Sequence, residues 1–168
     1  MIKELPLFPL KLVGFPGEKL NLHIYEKRYR SLIHDCLKNN LTFGIPPYED
    51  EAEMHIGTEL KVVDIAHTYD DGRMDIKSLG LGVFEIIEFR GKLKNKLYSG
   101  GRVRMLEQDY ETDLILLNEV LSKVEDLYRI MQINKKVPPL SAKFHIYSIA
   151  HKIGLNFSQE MQILAITS

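Results

Sequence analysis

The side chains of this chain that are best suited to chemistry are its six histidines. They are His23, His34, His55, His67, His145 and His151. No two of them have the His-x-x-x-His or His-Glu-x-x-His spacing that brings two zinc ligands to one helical face. His145 and His151 are six residues apart on one predicted helix, which turns them to different faces. The sequence therefore predicts neither a metal site nor an acid–base pair, unless distant segments bring such groups together.

The single cysteine, Cys36, excludes an internal disulfide and argues against a cysteine-based metal site. It falls on the apolar face of a predicted helix with no visible base to activate its thiol, so we expect a small buried core residue. The chain lacks the Gly-x-x-x-x-Gly-Lys-Ser/Thr run that holds a nucleotide phosphate, and Gly80-x-Gly82 alone is too weak a signal. We predict no catalytic residue, no metal and no cofactor.

A second group of residues is suited to binding rather than to catalysis. These are apolar side chains in or beside turn-rich stretches, namely Phe8, Leu12, Val13, Phe15, Pro16, Tyr48 and Met54. Such residues either fold back into the core or form an exposed patch that binds apolar polypeptide segments. The sequence leaves both alternatives open.

Basic residues are concentrated in one segment, around Tyr98. They are Arg90, Lys92, Lys94, Lys96, Arg102 and Arg104. A basic stripe of this kind is typical of a nucleic-acid interface, and also of a hairpin edge that Lys and Arg protect from aggregation. The whole chain has 22 basic and 23 acidic residues, a net charge of −1, which favours the second interpretation and leaves RNA or single-stranded nucleic acid as the alternative.

The chain changes character near residue 110, with β-like patterns before it and helical patterns after it. Leu20, Leu22 and Ile24 alternate with polar residues, which predicts a half-buried strand. Asp71-Gly72 predicts a tight hairpin, because this pair readily adopts positive φ angles. Glycines within the later β-like segments indicate bulges or bends, as in a closed or strongly coiled sheet. They are Gly80, Gly82, Gly100 and Gly101.

Helical periodicity appears first within the β-like half. Its apolar face comprises Tyr25, Tyr29, Leu32, Ile33, Cys36 and Leu37. Asn39-Asn40 is predicted to end that helix. In the second half, Thr112, Ser141 and Ser158 are predicted N-caps of three further helices, with Gly154 closing the second. The last helix reaches Ser168 without a stop signal, so we expect it to continue past that residue.

Three ordered stretches at the start of the chain resemble the N-terminal domain of the Lon protease family. They are residues 5–10 (LPLFPL), 15–17 (FPG) and 22–30 (LHIYEKRYR). Residues 43–45, the Asp71-Gly72-Arg73 turn and the stretch from Gly80 to Phe84 match later blocks of the family. The sequence departs from the family at Lys27, where proline is frequent, and at Val83, where arginine is frequent.

The resemblance implies an α+β fold, with a PUA-like partly closed β-barrel at residues 1–109 and a helical subdomain at 110–168. It also implies an ATP-independent, non-catalytic module that binds polypeptides and acts as an adaptor or regulator of proteolysis. The ATPase and serine–lysine peptidase modules of the full protease are absent from these 168 residues. The expected partners are unfolded or degron-bearing polypeptides, with a protease or chaperone as a further candidate and weak homo-oligomerisation left open.

The expected location is the cytoplasm. No apolar run approaches the roughly 20 residues that span a bilayer. The first ten residues contain an acid, Glu4, and two prolines, Pro6 and Pro9, which is unlike a signal peptide. We therefore expect a soluble protein without a membrane partner.

Overall fold

A computed structural model describes residues 1–48, 55–107, 113–134, 136 and 146–166. The strands are β1 Ile2–Leu7, β2 Lys19–Ile24, β3 Phe43–Ile45, β4 Ile56–Thr68, β5 Met74–Arg90 and β6 Ser99–Met105. The helices are α1 Lys27–Asn39, α2 Leu114–Ile130, α3 Tyr147–Ala150 and α4 Phe157–Ala165. The predicted change from β structure to helices near residue 110 is confirmed.

The strands form one six-stranded sheet in the order β2-β5-β4-β3-β1-β6. The long strand β5 also pairs with β6, so five of the strands form a ring and β2 lies outside it as an edge strand. The ring is weakest where β1 meets β3, because these strands are parallel and share only the pair Leu7 and Gly44. The result is an incompletely closed barrel.

Bulges allow the two longest strands to curve around the ring. The register of β4 against β5 shifts between Glu59 and Leu60 and twice more towards the Thr68 end of β4. A bulge adds a residue to one strand and increases its local bend and twist. Gly80 lies beside the first shift, and a Cβ atom there would come within 2.1 Å of the Phe15 carbonyl oxygen. The prediction that glycines mark bulges or bends is confirmed at this position.

The hairpin between β4 and β5 lies where Asp71-Gly72 predicts it. The Tyr69 amide donates to the Arg73 carbonyl oxygen, and the Gly72 amide donates to the Tyr69 carbonyl oxygen, both at 2.9 Å. Only Gly72 in this loop has a positive φ, of 83°. The connection is therefore a five-residue loop with one left-handed glycine, and not the two-residue turn in which both central residues have positive φ.

Helix α1 packs its buried side chains in one apolar cluster with residues of the sheet. Asn40, which follows its last residue, has a left-handed backbone with a φ of 51°. The buried residues of α1 are Tyr29, Leu32, Ile33 and Cys36. The predicted apolar face is too wide at both ends, because Tyr25 precedes the helix and is 63 % exposed, and Leu37 is also exposed. The periodic pattern therefore includes residues at each end of the predicted face whose side chains are not buried against the sheet.

The later helices pack on the barrel and on each other. Val13, Phe15 and Val83 share an apolar cluster with Tyr147, Ala150 and Leu164 from the helical part. Buried side chains of α2 form a further cluster with Ile149 of α3. They are Leu117, Leu121, Val124 and Tyr128.

The predicted helix ends need correction. Asp113 caps α2 instead of Thr112, since its carboxylate accepts the amides of Ile115 and Leu116. Asn156 caps α4 instead of Ser158, because it forms a reciprocal capping box with Gln159. Ser141 and Thr112 lie outside the described residues. Helix α4 ends at Ala165, with extended backbone at Ile166, earlier than the sequence predicts. Residues 167 and 168 lie outside the described residues, so the expected continuation past Ser168 stays a prediction.

Candidate polypeptide-binding groove

The apolar residues proposed from sequence as a binding patch divide between the core and the surface. Phe8, Val13 and Phe15 are at most 4 % exposed, and Pro16 is also buried, so the exposed-patch interpretation is wrong for these four. Their burial follows from the packing of the helices, because Phe8 lies in the cluster between α1 and the sheet, and Val13 and Phe15 lie in the cluster formed with the later helices. The half-buried Leu12 and the exposed Tyr48 remain accessible. Met54 lies outside the described residues.

The N-terminal segment nevertheless forms one wall of a surface groove. Its cavity has a volume of about 230 Å³. The apolar lining consists of Phe8, Leu10, Leu12, Leu22, Tyr25 and Tyr29. Four polar residues, Lys11, Asn21, His23 and Glu26, complete the lining. A mostly apolar concave surface with a few polar groups is the usual form of a ligand site.

The apolar floor of the groove is formed by the rings of Phe8 and Tyr29. Contacts of residues 8–10 with residues 44–48 and with α1 hold it in place. The Phe8 amide donates to the Gly44 carbonyl oxygen at 2.8 Å, and the Tyr48 amide donates to the Leu10 carbonyl oxygen at the same distance. The Phe8 ring stacks on the Tyr29 ring of α1, with centroids 3.7 Å apart. Burial is the main cause that raises the pKa of the Tyr29 hydroxyl, which therefore stays neutral. The floor is thus an uncharged aromatic pair fixed from both the loop and the helix.

Strand β2 forms the opposite wall and has an unpaired edge. Among the described residues its only strand partner is β5, in an antiparallel register from Lys19 with Leu79 to Ile24 with Met74. Leu20, Leu22 and Ile24 are buried, which confirms the predicted half-buried strand. An edge strand presents amide and carbonyl groups that can pair with another extended chain. The groove therefore combines an apolar floor with a backbone edge.

A hydrogen-bonded network lies on the outer face of β2 beside the groove. A 2.6 Å hydrogen bond joins Nδ1 of His23 and Oδ1 of Asp75, and the Tyr69 hydroxyl donates to Oδ2 of Asp75 at 2.8 Å. The His23 bond, followed by the Tyr69 bond, lowers the pKa of the Asp75 carboxyl. Asp75 is therefore a carboxylate that fixes the His23 ring, with the His67 ring packed edge-on against Tyr69.

The basic segment from 90 to 104 is partly neutralised by nearby acids. Arg90 pairs with Glu88 and with Glu4, at 2.8 and 3.0 Å. Lys96 and Arg104 pair with Asp35 and Glu85, at 2.7 and 2.8 Å. Three of the six basic side chains in this fully described segment thus form ion pairs with carboxylates. This pairing reduces the positive charge that is available to bind a nucleic-acid backbone. Lys92, Lys94 and Arg102 complete the predicted patch.

A second cavity, of about 390 Å³, separates the end of the Phe15-Pro16-Gly17 turn from α3. His151 bridges two acids there, with Nδ1 2.6 Å from Glu160 and Nε2 3.3 Å from Glu18. The two carboxylates bind opposite nitrogens of the ring and so do not converge on one point, as metal ligands must. Across the described residues no three His, Cys, Asp or Glu side chains are grouped to hold a metal ion.

Several residues of the groove were not recognised as binding residues from the sequence. Sequence periodicity places Leu22 in a strand and Tyr25 and Tyr29 on a helical face, and it predicts no binding role for Leu10. All four lie within the two longest stretches of the family resemblance, residues 5–10 and 22–30. That clustering was the one available signal that these segments meet in space.

None of the helices described by the structure combines the length and apolar character needed to cross a membrane.

Comparison with known proteins identifies the fold and the family. Residues 4–168 match the family described as the ATP-dependent protease La (LON) substrate-binding domain. A Lon N-terminal domain protein from Xanthomonas campestris superposes with a TM-score of 0.76 and 25 % identity, covering 99 % of this chain and 92 % of that one. The N-terminal domain of the Mycobacterium avium complex Lon protease has a TM-score of 0.65 at 15 % identity, covering 99 % and 91 %.

A curated relative is the cereblon protein of Xenopus tropicalis, which is 24 % identical over 93 residues. The match covers 52 % of this chain and 21 % of cereblon, so the chain spans about a fifth of that relative.

The predicted α+β, PUA-like fold of a Lon N-terminal domain is confirmed by the solved structures. One substrate-binding domain accounts for residues 4–168, and no catalytic module of the protease is present in them. The chain belongs to the family of Lon substrate-binding domains.

Proposed function

We propose that this chain is a non-catalytic module that binds extended, apolar polypeptide segments in the groove between residues 8–12 and β2. The bound segment adds a strand to the free edge of β2, and its inward side chains enter the apolar groove. The observation that carries this proposal is that β2, which has one free edge, also lines the apolar groove through Leu22 and its neighbours. Strand addition uses main-chain hydrogen bonds for affinity and side-chain pockets for selectivity.

The energetics require both parts of this surface. Burying one large apolar side chain contributes about 1.5–3 kcal/mol, whereas a micromolar complex needs about 8 kcal/mol. One or two anchors in a 230 Å³ groove therefore do not suffice. Main-chain hydrogen bonds along the six residues of β2 supply a further contribution. A long extended segment, as found in an unfolded protein, satisfies both requirements.

The family supports polypeptide as the ligand class, since its description is that of a substrate-binding domain. Residues 4–168 match a substrate-binding domain and hold no ATPase or peptidase module, which supports a role in presenting polypeptides rather than in cleaving them. We accordingly assign the chain an adaptor or regulatory role in proteolysis, with unfolded or degron-bearing polypeptides as ligands and a protease or chaperone as the recipient. Its site of action is then the cytoplasm.

Binding is tested by fluorescence anisotropy with a labelled, permanently unfolded model protein. A double variant, Leu12→Asp with Tyr25→Ser, places a charge in the groove and removes an exposed ring without touching the buried floor. We expect its affinity to fall about tenfold or more, which corresponds to about 1.4 kcal/mol. Ile130→Asp is the matched control, because Ile130 is an exposed apolar residue of α2, 78 % accessible and outside the groove lining.

Hydrogen exchange locates the bound segment. On saturation with peptide, the β2 amides that do not pair with β5 should exchange more slowly, while exchange in α2 stays unchanged. Binding without protection of β2 would contradict strand addition. No binding at high micromolar concentration would contradict the proposed function itself.

A further inference from the structure

The outer face of the sheet beside the groove carries more positive than negative side chains. On β2, Lys19, Asn21 and His23 point away from the core, as their exposure and alternation show. Cross-strand pairing puts Lys77 of β5 next to Asn21. Lys61 of β4 lies further along the same face, opposite Leu79 of β5. Any strand added to β2 must place half of its side chains on this face.

Most acids near this edge are engaged, and the remaining one, Asp64 of β4, lies opposite Lys77 of β5 and not next to Lys19 of β2. Asp75 binds His23 and Tyr69. At the two ends of β2, Glu18 accepts the Phe15 amide and pairs with His151, and Glu26 binds Arg28. Among the described residues, no carboxylate forms an ion pair with Lys19, Lys61 or Lys77. The positive charge of Lys19, on the edge strand itself, is therefore not paired with a carboxylate of the described residues.

We propose that the preferred ligand of the β2 edge is a polypeptide segment in which acidic residues alternate with apolar ones. This inference rests on the proposed function, because it assumes that a strand adds to β2. Side chains directly opposite each other on neighbouring strands have Cβ atoms about 4.5–5.5 Å apart, so opposite charges attract and like charges repel. Acidic residues opposite Lys19 and Asn21 meet a free ammonium group and an amide donor.

The alternating pattern follows from the two faces of the added strand. Its other side chains lie on the same side as the buried Leu20 and Leu22 and enter the groove, so they must be apolar. A nucleic acid offers negative charge but lacks the regular amide and carbonyl groups that an edge strand pairs with. A polypeptide with alternating acidic and apolar residues thus matches all three features of this surface. Its acids pair with Lys19, its apolar side chains enter the groove, and its backbone bonds to the edge of β2.

The test uses two labelled peptides with identical apolar positions, one with Glu and one with Lys at every outward position. Anisotropy at 150 mM salt should show that the Glu peptide binds about five- to tenfold more tightly. Lys19→Gln should remove most of this preference, and Lys19→Glu should reverse it. Lys61→Glu is the matched control, since Lys61 lies two strands from β2 and about 15 Å from an added strand, beyond the screening length of about 8 Å.

The outcomes separate this inference from the proposed function. Equal affinity for both peptides, with β2 amides still protected, would overturn the acidic preference and leave strand addition intact. Failure of both peptides to bind the unaltered chain would overturn the proposed function. An oligothymidylate that competes with the Glu peptide at equal concentration would overturn polypeptide specificity in favour of general anion binding.

Discussion

At the scale of single residues, most side chains with reactive groups serve the structure of this protein. Cys36 lies on the buried face of α1, and burial raises the pKa of its thiol to about 12. Such a thiol stays protonated at neutral pH and is a poor nucleophile. Tyr98 is buried beside Asp35 in the same way, and desolvation raises the pKa of its hydroxyl. These groups fix the packing of α1 and offer no catalytic chemistry.

Cys36 should therefore resist alkylation in the folded protein. We expect iodoacetamide at pH 8 to modify it only after urea is added, because the reactive thiolate is scarce and the atom is covered. Mass spectrometry of samples with and without urea measures the difference. Rapid modification of the folded chain would contradict both the burial and the direction of the pKa shift.

Gly80 is the glycine whose substitution should be most damaging. A Cβ atom at Gly80 would overlap the backbone of Phe15, whereas at Gly91 nothing lies within 4 Å. Gly80→Ala should lower the free energy of unfolding by about 1–3 kcal/mol through overpacking, and Gly91→Ala should change it little. Urea unfolding of both variants provides the measurement. Equal stability of the two would show that the Phe15 segment moves easily.

At the scale of elements, the carboxylate of Asp35 adds a polar connection to the apolar packing of α1. Asp35 accepts hydrogen bonds from Lys96 at 2.7 Å and from the Tyr98 hydroxyl at 2.6 Å, which connects the helix to the segment before β6. The bond from Lys96, then that from Tyr98, lowers the pKa of the Asp35 carboxyl. Because the folded-state pKa is below the unfolded one, the stabilisation is complete above about pH 3.9 and disappears as pH falls through the folded value.

Asp35→Asn should consequently cost stability at neutral pH and much less in acid. We expect a loss of about 1 kcal/mol at pH 7, since two bonds to a partly exposed charge are weakened. The difference from the unaltered chain should narrow below pH 3.9 as the carboxylate is protonated. Urea unfolding at pH 7 and pH 3 tests this, with Glu119→Gln on the exposed face of α2 as control. A difference independent of pH would refute the ionic contribution.

At the scale of the whole molecule, the helical part packs on the barrel through a contact that combines aromatic stacking with ionic interactions. Phe15 stacks on Tyr147 with ring centroids 5.2 Å apart, and His151 bridges Glu18 and Glu160 next to it. The division at residues 109 and 110 stays a prediction, and the shared cluster around Phe15 indicates that the two parts stabilise each other. The cavity beside this contact and the groove beside β2 have no lining residue in common.

Removing the His151 bridge should lower the local stability of α3 and α4 more than that of the sheet. With His151→Ala, amides of α3 and α4 should exchange faster, while those shared by β4 and β5 keep their protection, because local unfolding follows the weakest contacts. His34→Ala, at an exposed position of α1, is the control. Uniformly faster exchange throughout the chain would instead indicate one cooperative unit.

The sequence by itself determined the local elements and the family. Alternation of Leu20, Leu22 and Ile24 predicted β2, Asn39-Asn40 predicted the end of α1, and Gly72 located the hairpin. These features depend on neighbours along the chain, where periodicity and backbone preference act directly. The ordered motifs of the first 30 residues carried the family resemblance.

Only the tertiary structure decided which apolar residues are accessible and where a ligand can bind. Phe8, Phe15 and Tyr48 are all aromatic residues next to a proline in the sequence, yet the two phenylalanines are buried in apolar clusters and Tyr48 is exposed. The groove exists because residues 8–12 meet β2, and one edge of β2 is free because, among the described strands, β2 pairs with β5 alone. Burial and strand adjacency depend on which distant segments pack together, and that information is not contained in any local pattern.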